Sequence, residues 1–139
     1  MVSPEKLARK FIQLDEFLGI LKEVASIPLE NFLEDKIVIG SAKYYLQVSI
    51  ECCLDVANHI IAAERYRAPE DYADSFAVLE ENSVCPSALS NRLIQMAKFR
   101  NRLVHLYGEI DNKSVYSFLH RDLDDIREYR KTIMQQYQI

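Results

Sequence analysis

The sequence predicts an all-α protein, built as an up-and-down bundle of four long helices with one short extra helix. Only three Gly and four Pro occur among the 139 residues. The apolar residues mostly recur every three or four positions instead of alternating, which indicates helices and not strands. Hydrophobic residues make up 49% of the chain. This is enough for one buried core, and residues 1–139 are predicted to form a single domain.

The first helix is predicted to begin at Pro4 and to end near Ile27 and Pro28. Ser3 precedes Pro4, and this order is typical of an N-cap followed by a first-turn proline. Apolar residues then follow at helical spacing and predict a core-packing helix: Leu7, Phe11, Leu14, Leu18, Leu21 and Val24. Residues 29–35 are predicted to be a connector or a short turn.

The second long helix is predicted from about Ile37 to Glu64. Apolar residues cover more than half of its girth, which is typical of a helix in the centre of a bundle. The remaining strip is polar and consists of Tyr44, Gln47, Glu51, Asp55, Asn58 and His59. A plain solvated face usually carries several Lys or Arg as well. Two interpretations therefore stay open for the strip, a solvated face and the wall of a cleft or an interface.

A short third helix is predicted from Tyr72 to Glu81, with Tyr72, Phe76 and Leu79 pointing inward. The last helix is predicted to start after a cap at Asp111 or Asn112. Its apolar stripe predicts the side that faces the core: Val115, Leu119, Leu123, Ile126, Ile133 and Tyr137. Its acidic residues are assigned to the solvated face: Asp122, Asp124 and Asp125.

Between these two helices lies one predicted from Pro86 to Tyr107. Pro86 suits the first helical position, and Gly108 suits a left-handed cap after the helix. Arg100 projects from the middle of its apolar face. Because a guanidinium keeps its proton, its burial requires a partner or a water-filled cleft. Arg100 is therefore either half of a structural ion pair or part of a site for an anionic ligand.

The polar strip of the second helix offers Arg100 a partner. Glu51, Asp55 and His59 are spaced by four and so stack on one face. Such a stack could hold a metal ion, but no known metal-binding motif matches it. The favoured interpretation is that one of the two carboxylates forms a bidentate pair with Arg100.

His105 extends the anionic-ligand interpretation to phosphodiester chemistry. A fixed cation stabilises charge that develops on phosphoryl oxygens, and an imidazole can move the proton of a ribose hydroxyl or a leaving oxygen. The 2′-hydroxyl of RNA supplies an internal nucleophile, so no metal and no cofactor are expected. Arg100 and His105 are about 140° apart around an ideal helix. A two-fold dimer in which the helices predicted from Pro86 to Tyr107 pack against each other would bring both groups into one cleft.

Arg100, Asn101, His105 and Tyr107 spell R-N-x-x-x-H-x-Y. This spacing resembles the signature of HEPN-domain ribonucleases, in particular the HepT toxin family. The resemblance implies a HEPN-like bundle and a toxin ribonuclease of a toxin–antitoxin pair that works as a homodimer. It implies Arg100 and His105 as catalytic residues, supported by Asn101 and Tyr107. Glu51 and Asp55 are further supporting candidates, because one of them is expected to pair with Arg100.

Two further segments resemble HepT sequences in the same order, LDVANHIIA at residues 54–62 and YADSFAVLEE at residues 72–81. The resemblance also implies a partner, a minimal nucleotidyltransferase antitoxin. In this family the partner can neutralise the toxin by transferring AMP to the motif tyrosine, here Tyr107. Two alternatives stay open: a non-catalytic substrate-binding subunit of a nucleotidyltransferase, and a structural dimerisation module.

The net charge of −4 is unusual for a nucleic-acid binder, so RNA binding requires a local basic patch. The candidates for this patch are Lys98, Arg100, Arg102 and Arg92. The three cysteines lack zinc-site spacing and are predicted to be free thiols in a reducing cytoplasm. No signal peptide is recognised, and no apolar run approaches the roughly 20 residues of a membrane helix. Neither a membrane nor a DNA partner is expected.

Overall fold

A computed structural model describes the backbone of all 139 residues and every side chain except that of Tyr107. In chain order the helices are α1 (Pro4–Ala25), α2 (Leu29–Glu34), α3 (Lys36–Ala63), α4 (Tyr72–Glu81), α5 (Ser87–His105) and α6 (Asn112–Tyr137). A short 3-10 turn, Tyr107–Glu109, joins α5 to α6. No strand occurs along the described backbone. The predicted all-α fold is confirmed.

The four long helices alternate in direction. Lys10 on α1 pairs with Asp55 on α3, while the amino group of Met1 reaches the carbonyl of Ala63, so α1 and α3 are antiparallel. Contacts of Arg92 with Asp125 show the same relation for α5 and α6, because the early part of one helix meets the later part of the other. This is the predicted up-and-down topology.

Helix α3 is the central element, as its wide apolar arc predicted. It contacts all five other helices, and a single cluster of buried apolar residues runs through the bundle. By length and composition alone α3 would also suit a membrane span, which was not predicted from the sequence. However, 56% of its most apolar 18-residue segment is buried inside the protein. Packing in the core accounts for its apolar character.

Aspartate and serine side chains fix several helix starts. The Ser3 hydroxyl accepts a hydrogen bond from the backbone N–H of Lys6 at the start of α1. Asp35 caps α3 and Asp71 caps α4 in the same way. Asp111 caps α6 by accepting from the N–H of Lys113. The caps predicted at Ser3 and in the pair Asp111 and Asn112 are therefore confirmed.

Three predicted boundaries differ from the structure. Residues 29–34 form the short helix α2, because Phe32 is drawn into the core and its ring packs 5.0 Å from that of Tyr116. Pro86 is the residue before α5 and not its first residue. Gly108 does not provide a left-handed cap: α5 ends at His105, and the 3-10 turn that follows needs no positive φ at Gly108.

The acidic side of α6 was assigned wrongly. Asp122 and Asp125 are buried, and only Asp124 lies in solvent. Helix α6 packs against α1, α3 and α5 together, so its buried arc is wider than the apolar stripe. The same packing buries Tyr129, which the stripe omitted and whose hydroxyl donates to the carbonyl of Cys53 across 3.1 Å.

Candidate active site

Arg100 is held between α5 and α3. Its side chain is 11% exposed, and its Nη2 donates to Oε2 of Glu51 across 2.9 Å. Its Nη1 donates to Oδ1 of Asn101 across 3.2 Å. Of the two carboxylates predicted as possible partners, Glu51 is the one that pairs with Arg100, through one nitrogen–oxygen contact and not through a bidentate pair. Nε of Arg100 is buried without a partner among the described side chains. Nη1 and Nη2 each use one of their two protons in these hydrogen bonds, so the guanidinium keeps donors for a ligand.

Tyr72 completes the surroundings of this guanidinium. The sequence placed Tyr72 inward beside Phe76 and Leu79, and this is wrong: the other two are buried, while Tyr72 is 47% exposed. As the first residue of α4 it projects beyond the core. The guanidinium carbon of Arg100 lies 4.7 Å from the centre of its ring, within the range of a cation–π contact.

Two adjoining cavities surround these residues. The inner cavity, of about 80 Å³, is lined by Glu51, Leu54, Asp55, Asn58, Tyr72 and Arg100. The outer pocket, of about 460 Å³, is lined by Asn58, Pro69, Asp71, Tyr72, Ser75, Asn101 and His105. Since Asn58 and Tyr72 belong to both, the two form one cleft. The polar strip of α3 therefore forms a cleft wall along Glu51, Asp55 and Asn58.

The motif residues occupy different parts of this cleft. Arg100 lines the inner cavity and His105, the exposed last residue of α5, lines the outer pocket. Asn101 connects them, since it lines the outer pocket and accepts the hydrogen bond from Arg100. Tyr107 begins the turn after α5, and its side chain lies outside the described residues.

The stack of Glu51, Asp55 and His59 is divided among separate partners. Glu51 pairs with Arg100. Asp55 pairs with Lys10 across 2.9 Å, although it also lines the inner cavity. His59 Nε2 accepts from the backbone N–H of Ser3 across 3.1 Å. Burial, followed by the positive charges of Lys6 and the N-terminus, lowers the pKa of His59, which suits an acceptor. No group of three candidate metal ligands occurs among the described side chains.

The predicted basic patch is smaller than expected. Arg92 points to α6, where it pairs with Asp125 and Glu128 across 2.8 Å each, so its charge is compensated and it is removed from the patch. Lys98 and Arg102 are exposed on α5. Of the four predicted residues, Lys98 and Arg102 therefore remain on the surface, and Arg100 remains in the cleft, where it is paired with Glu51.

The loop that forms one wall of the outer pocket is clamped to α4. Arg67 makes two hydrogen bonds to Asp74, of 2.7 and 2.9 Å, and two to Glu81, of 2.9 and 2.8 Å. These hydrogen bonds lower the pKa of Asp74 to about 2. The loop residues Pro69 and Asp71 line the pocket and lie along the chain between Arg67 and Asp74. The wall is therefore fixed by charge-assisted bonds.

Comparison with known proteins decides the family. The sequence model of the family described as "Ribonuclease HepT-like" matches residues 14–133. The chain belongs to the HepT-like ribonuclease family. The mRNA nuclease HepT of Shewanella oneidensis is 31% identical over 97 residues, which cover 70% of this chain and 69% of that protein. The tRNA nuclease HepT of Aphanizomenon flos-aquae is 22% identical over 115 residues, which cover 83% and 78%.

A solved structure of a HepT-like relative agrees with the bundle. The tri-AMPylated Shewanella oneidensis HEPN toxin, in complex with its MNT antitoxin, matches with a TM-score of 0.85 and 26% identity over 93% of this chain and 96% of that one. The predicted family, fold and enzyme class, a ribonuclease, are confirmed. The roles of the individual HepT-like motif residues stay predictions.

Sequence reasoning missed much of the wall opposite the motif. Asp71, Tyr72 and Ser75 line the outer pocket, and none was named as a candidate. One signal was available: Tyr72 and Ser75 lie in the segment 72–81 that resembles HepT sequences. Asn58 was noted only as part of the polar strip, seven residues after Glu51 and therefore on the same face.

Proposed function

We propose that this HepT-like chain is the toxin of a toxin–antitoxin pair and cleaves RNA without a metal ion, using Arg100 and His105. The observation that carries the proposal is the fixed guanidinium in the same cleft as an exposed imidazole. Glu51, Asn101 and Tyr72 hold the guanidinium in place. An RNA phosphate in the inner cavity would meet a preorganised cation, which stabilises charge on its oxygens.

The proposed reaction is an internal transfer. His105 removes the proton of a ribose 2′-hydroxyl, and the freed oxygen forms a bond to phosphorus. The bond between phosphorus and the 5′-oxygen of the next nucleotide breaks, and that oxygen takes a proton from an imidazolium. The products are a 2′,3′-cyclic phosphate and a 5′-hydroxyl. The unpartnered donors of Arg100 bind the phosphoryl oxygens as charge builds up.

A homodimer would supply both the base and the acid. In one chain Arg100 and His105 line neighbouring compartments of the cleft, so a second copy of His105 is a suitable proton donor across a two-fold axis. Val104 and Leu106 flank His105 and are 38% and 46% exposed. Two apolar side chains beside a polar residue at a helix end are suited to an interface. We therefore place the dimer axis near the ends of the two α5 helices.

The proposed partner is a nucleotidyltransferase antitoxin. The Shewanella oneidensis relative is an AMPylated toxin in complex with its MNT antitoxin, and Tyr107 is the tyrosine that the motif offers here. In the modification, the tyrosine oxygen forms a bond to the α-phosphorus of ATP and pyrophosphate leaves. A charged adduct two residues after His105 would exclude an RNA phosphate from the cleft. A cytoplasmic location suits an RNA substrate and the three free thiols.

One observation favours the alternative of a non-catalytic binding subunit. Arg100 already has a carboxylate partner in Glu51, as a structural arginine would. The test is cleavage of total RNA in EDTA by wild type, His105→Ala and His120→Ala. His120 is a matched control, since it is also exposed but its ring nitrogens contact the carbonyls of Tyr116 and Ala25. Cleavage by wild type and the control only is expected. Equal activity of the His105→Ala protein, or no activity of wild type in EDTA, would refute the proposal.

A further inference from the structure

We propose that the outer pocket is a subsite for one unpaired nucleobase of the RNA, beside the phosphate that is cleaved. Tyr72 supplies the stacking surface, and the amides of Asn58 and Asn101 supply donors. The inference rests on the proposed function, because it names the substrate class of the same cleft as single-stranded RNA.

The size and position of the outer pocket suit this occupant. Its volume of about 460 Å³ lies within the usual range of small-molecule sites, roughly 300–1,000 Å³. It adjoins the inner cavity through Asn58 and Tyr72. A nucleotide can therefore place its base in the outer pocket while its phosphate approaches Arg100.

The ring of Tyr72 is prepared for stacking. The guanidinium of Arg100 lies over the ring at 4.7 Å from its centre, and nearly half of the residue remains exposed. The cation–π contact restrains the ring before RNA arrives, so less freedom is lost on binding. Unpaired bases in RNA are commonly bound by stacking on such aromatic side chains.

The neighbours of the two amides occupy their oxygen atoms. Arg100 can only donate, so the atom of Asn101 that it contacts must be Oδ1. The hydroxyl of Ser75, which is buried, donates to Oδ1 of Asn58 across 3.0 Å. Each amide therefore keeps its NH₂ group for a ligand. Every nucleobase has acceptors on its Watson–Crick edge, and in a duplex these are engaged, so the donors select an unpaired base.

Asp71 distinguishes a base from a second phosphate as the occupant. Its Oδ1 caps α4 by accepting from the N–H of Asp74, and its carboxylate lines the outer pocket. Among the described side chains the outer pocket has no lysine or arginine to offset this carboxylate, whereas in the inner cavity Glu51 pairs with Arg100 and Asp55 with Lys10. An uncompensated carboxylate repels a phosphate but accepts from the N–H groups of a base. Because Arg67 clamps the loop that carries Asp71, this acceptor is held in place.

The test asks whether the effect of removing one base from the RNA depends on Tyr72. The substrates are a single-stranded RNA with one mapped cleavage site and versions in which each base near that site is replaced in turn by an abasic nucleotide. With wild type, one abasic position should raise KM by roughly 5- to 150-fold, the value of one base–aromatic stack. Tyr72→Ala should raise KM similarly on intact RNA and should then be insensitive to that abasic position. Tyr72→Phe keeps the ring and should therefore remain sensitive to that abasic position, unlike Tyr72→Ala.

The subsite is refuted if every abasic position affects wild type and Tyr72→Ala by the same factor. A wild type that cleaves no RNA contradicts the proposed function instead. The coupling is then measured by binding, with a fluorescent oligonucleotide scanned by abasic positions along its length. A position whose effect on binding depends on Tyr72 supports the subsite without any cleavage. If no position shows this dependence, the subsite is refuted. Thermal melting of each variant checks that the chain is folded.

Discussion

Arg100 on α5 and Glu51 on α3 form an ion pair, with 2.9 Å between Nη2 and Oε2, that joins the motif helix to the central helix. Glu51 is 34% exposed, so it retains water if its partner is removed. This exposure distinguishes the pair from fully buried ion pairs, in which removing one partner leaves an unpaired buried charge and lowers stability by about 3–5 kcal/mol. The pair is therefore well placed to orient a functional guanidinium without being essential for folding.

We accordingly expect Arg100→Ala to stay folded and to lose RNA cleavage. The substitution removes the hydrogen bonds from Arg100 to Glu51 and to Asn101, and the bond between the two charged groups alone predicts a decrease in stability of about 1.5–3 kcal/mol. Melting temperature and cleavage should be measured on the same preparation. An Arg100→Ala protein that is unfolded would favour the structural role, and a fully active one would exclude the catalytic role.

Arg100→Lys is the conservative companion of this variant. An ammonium keeps the positive charge, but it cannot contact Glu51 and Asn101 and also lie flat over Tyr72 in the geometry of a guanidinium. We expect its melting temperature to be close to that of wild type and its kcat to be at least roughly tenfold lower, the factor that about 1.4 kcal/mol of lost transition-state stabilisation produces. A kcat equal to that of wild type would mean that charge alone suffices.

Subunit mixing tests whether cleavage needs His105 of both subunits, one as base and one as acid. In that case a heterodimer of wild type and His105→Ala contains no complete site. An equal mixture that has exchanged subunits should then keep about a quarter of the activity of the same total amount of wild type, since only a quarter of the dimers carry two histidines at position 105. About half of that activity would mean that each chain works alone. The same mixture measured before subunit exchange is the control.

The motif residues and the central helix could be predicted because both depend on local spacing. The apolar arc of α3 determines its position, and four residues at the end of α5 and in the turn after it suffice to recognise the motif. Tyr72 and Asn58 could not be placed in the cleft in this way. They come from α4 and α3, and their approach to Arg100 depends on how the helices pack, which no local pattern specifies. Asp125 also could not be placed from the sequence, since its burial follows from the packing of α6 against α1, α3 and α5.

The next prediction concerns the Arg67 clamp. Arg67→Ala frees the loop wall with Pro69 and Asp71 but leaves Arg100 and His105 untouched. We expect KM for RNA to rise and kcat to change little, because the clamp positions a binding surface and not the reacting groups. Steady-state kinetics check this, with Arg127→Ala as control. Arg127 is also an exposed arginine, but it pairs within its own helix with Asp124 at 3.7 Å.

The stability that the pairing of Arg67 with Asp74 contributes is lost in acid. Because the folded-state pKa of Asp74 is depressed to about 2, the pairing contributes stability above the unfolded pKa near 4 and loses it as pH falls through about 2. The melting temperatures of wild type and Asp74→Asn should therefore differ at neutral pH and converge towards pH 2. A constant difference across this range would contradict the assignment.

Asp122 gives the fold a pH dependence of opposite sign. The side chain is 2% exposed, and its Oδ2 has no partner among the described residues. Burial, followed by the charge of Asp125, raises its pKa to about 7, while Arg121 opposes the shift. The native state thus holds a proton that the unfolded chain releases near pH 4. Stability should fall as pH rises from about 4 to 7 and then level off, by at most about 4 kcal/mol.

Asp122→Asn removes this ionisation and keeps the shape of the side chain. We expect the variant to melt at a higher temperature than wild type at pH 8, and the two proteins to approach each other near pH 4 to 5. Asp124→Asn, on the exposed side of the same helix, is the matched control and should follow wild type throughout. Unfolding by denaturant at several pH values measures the difference. If wild type and Asp122→Asn differ by the same amount at pH 4 and pH 8, Asp122 does not titrate in this range and its carboxyl has found a partner for its charge.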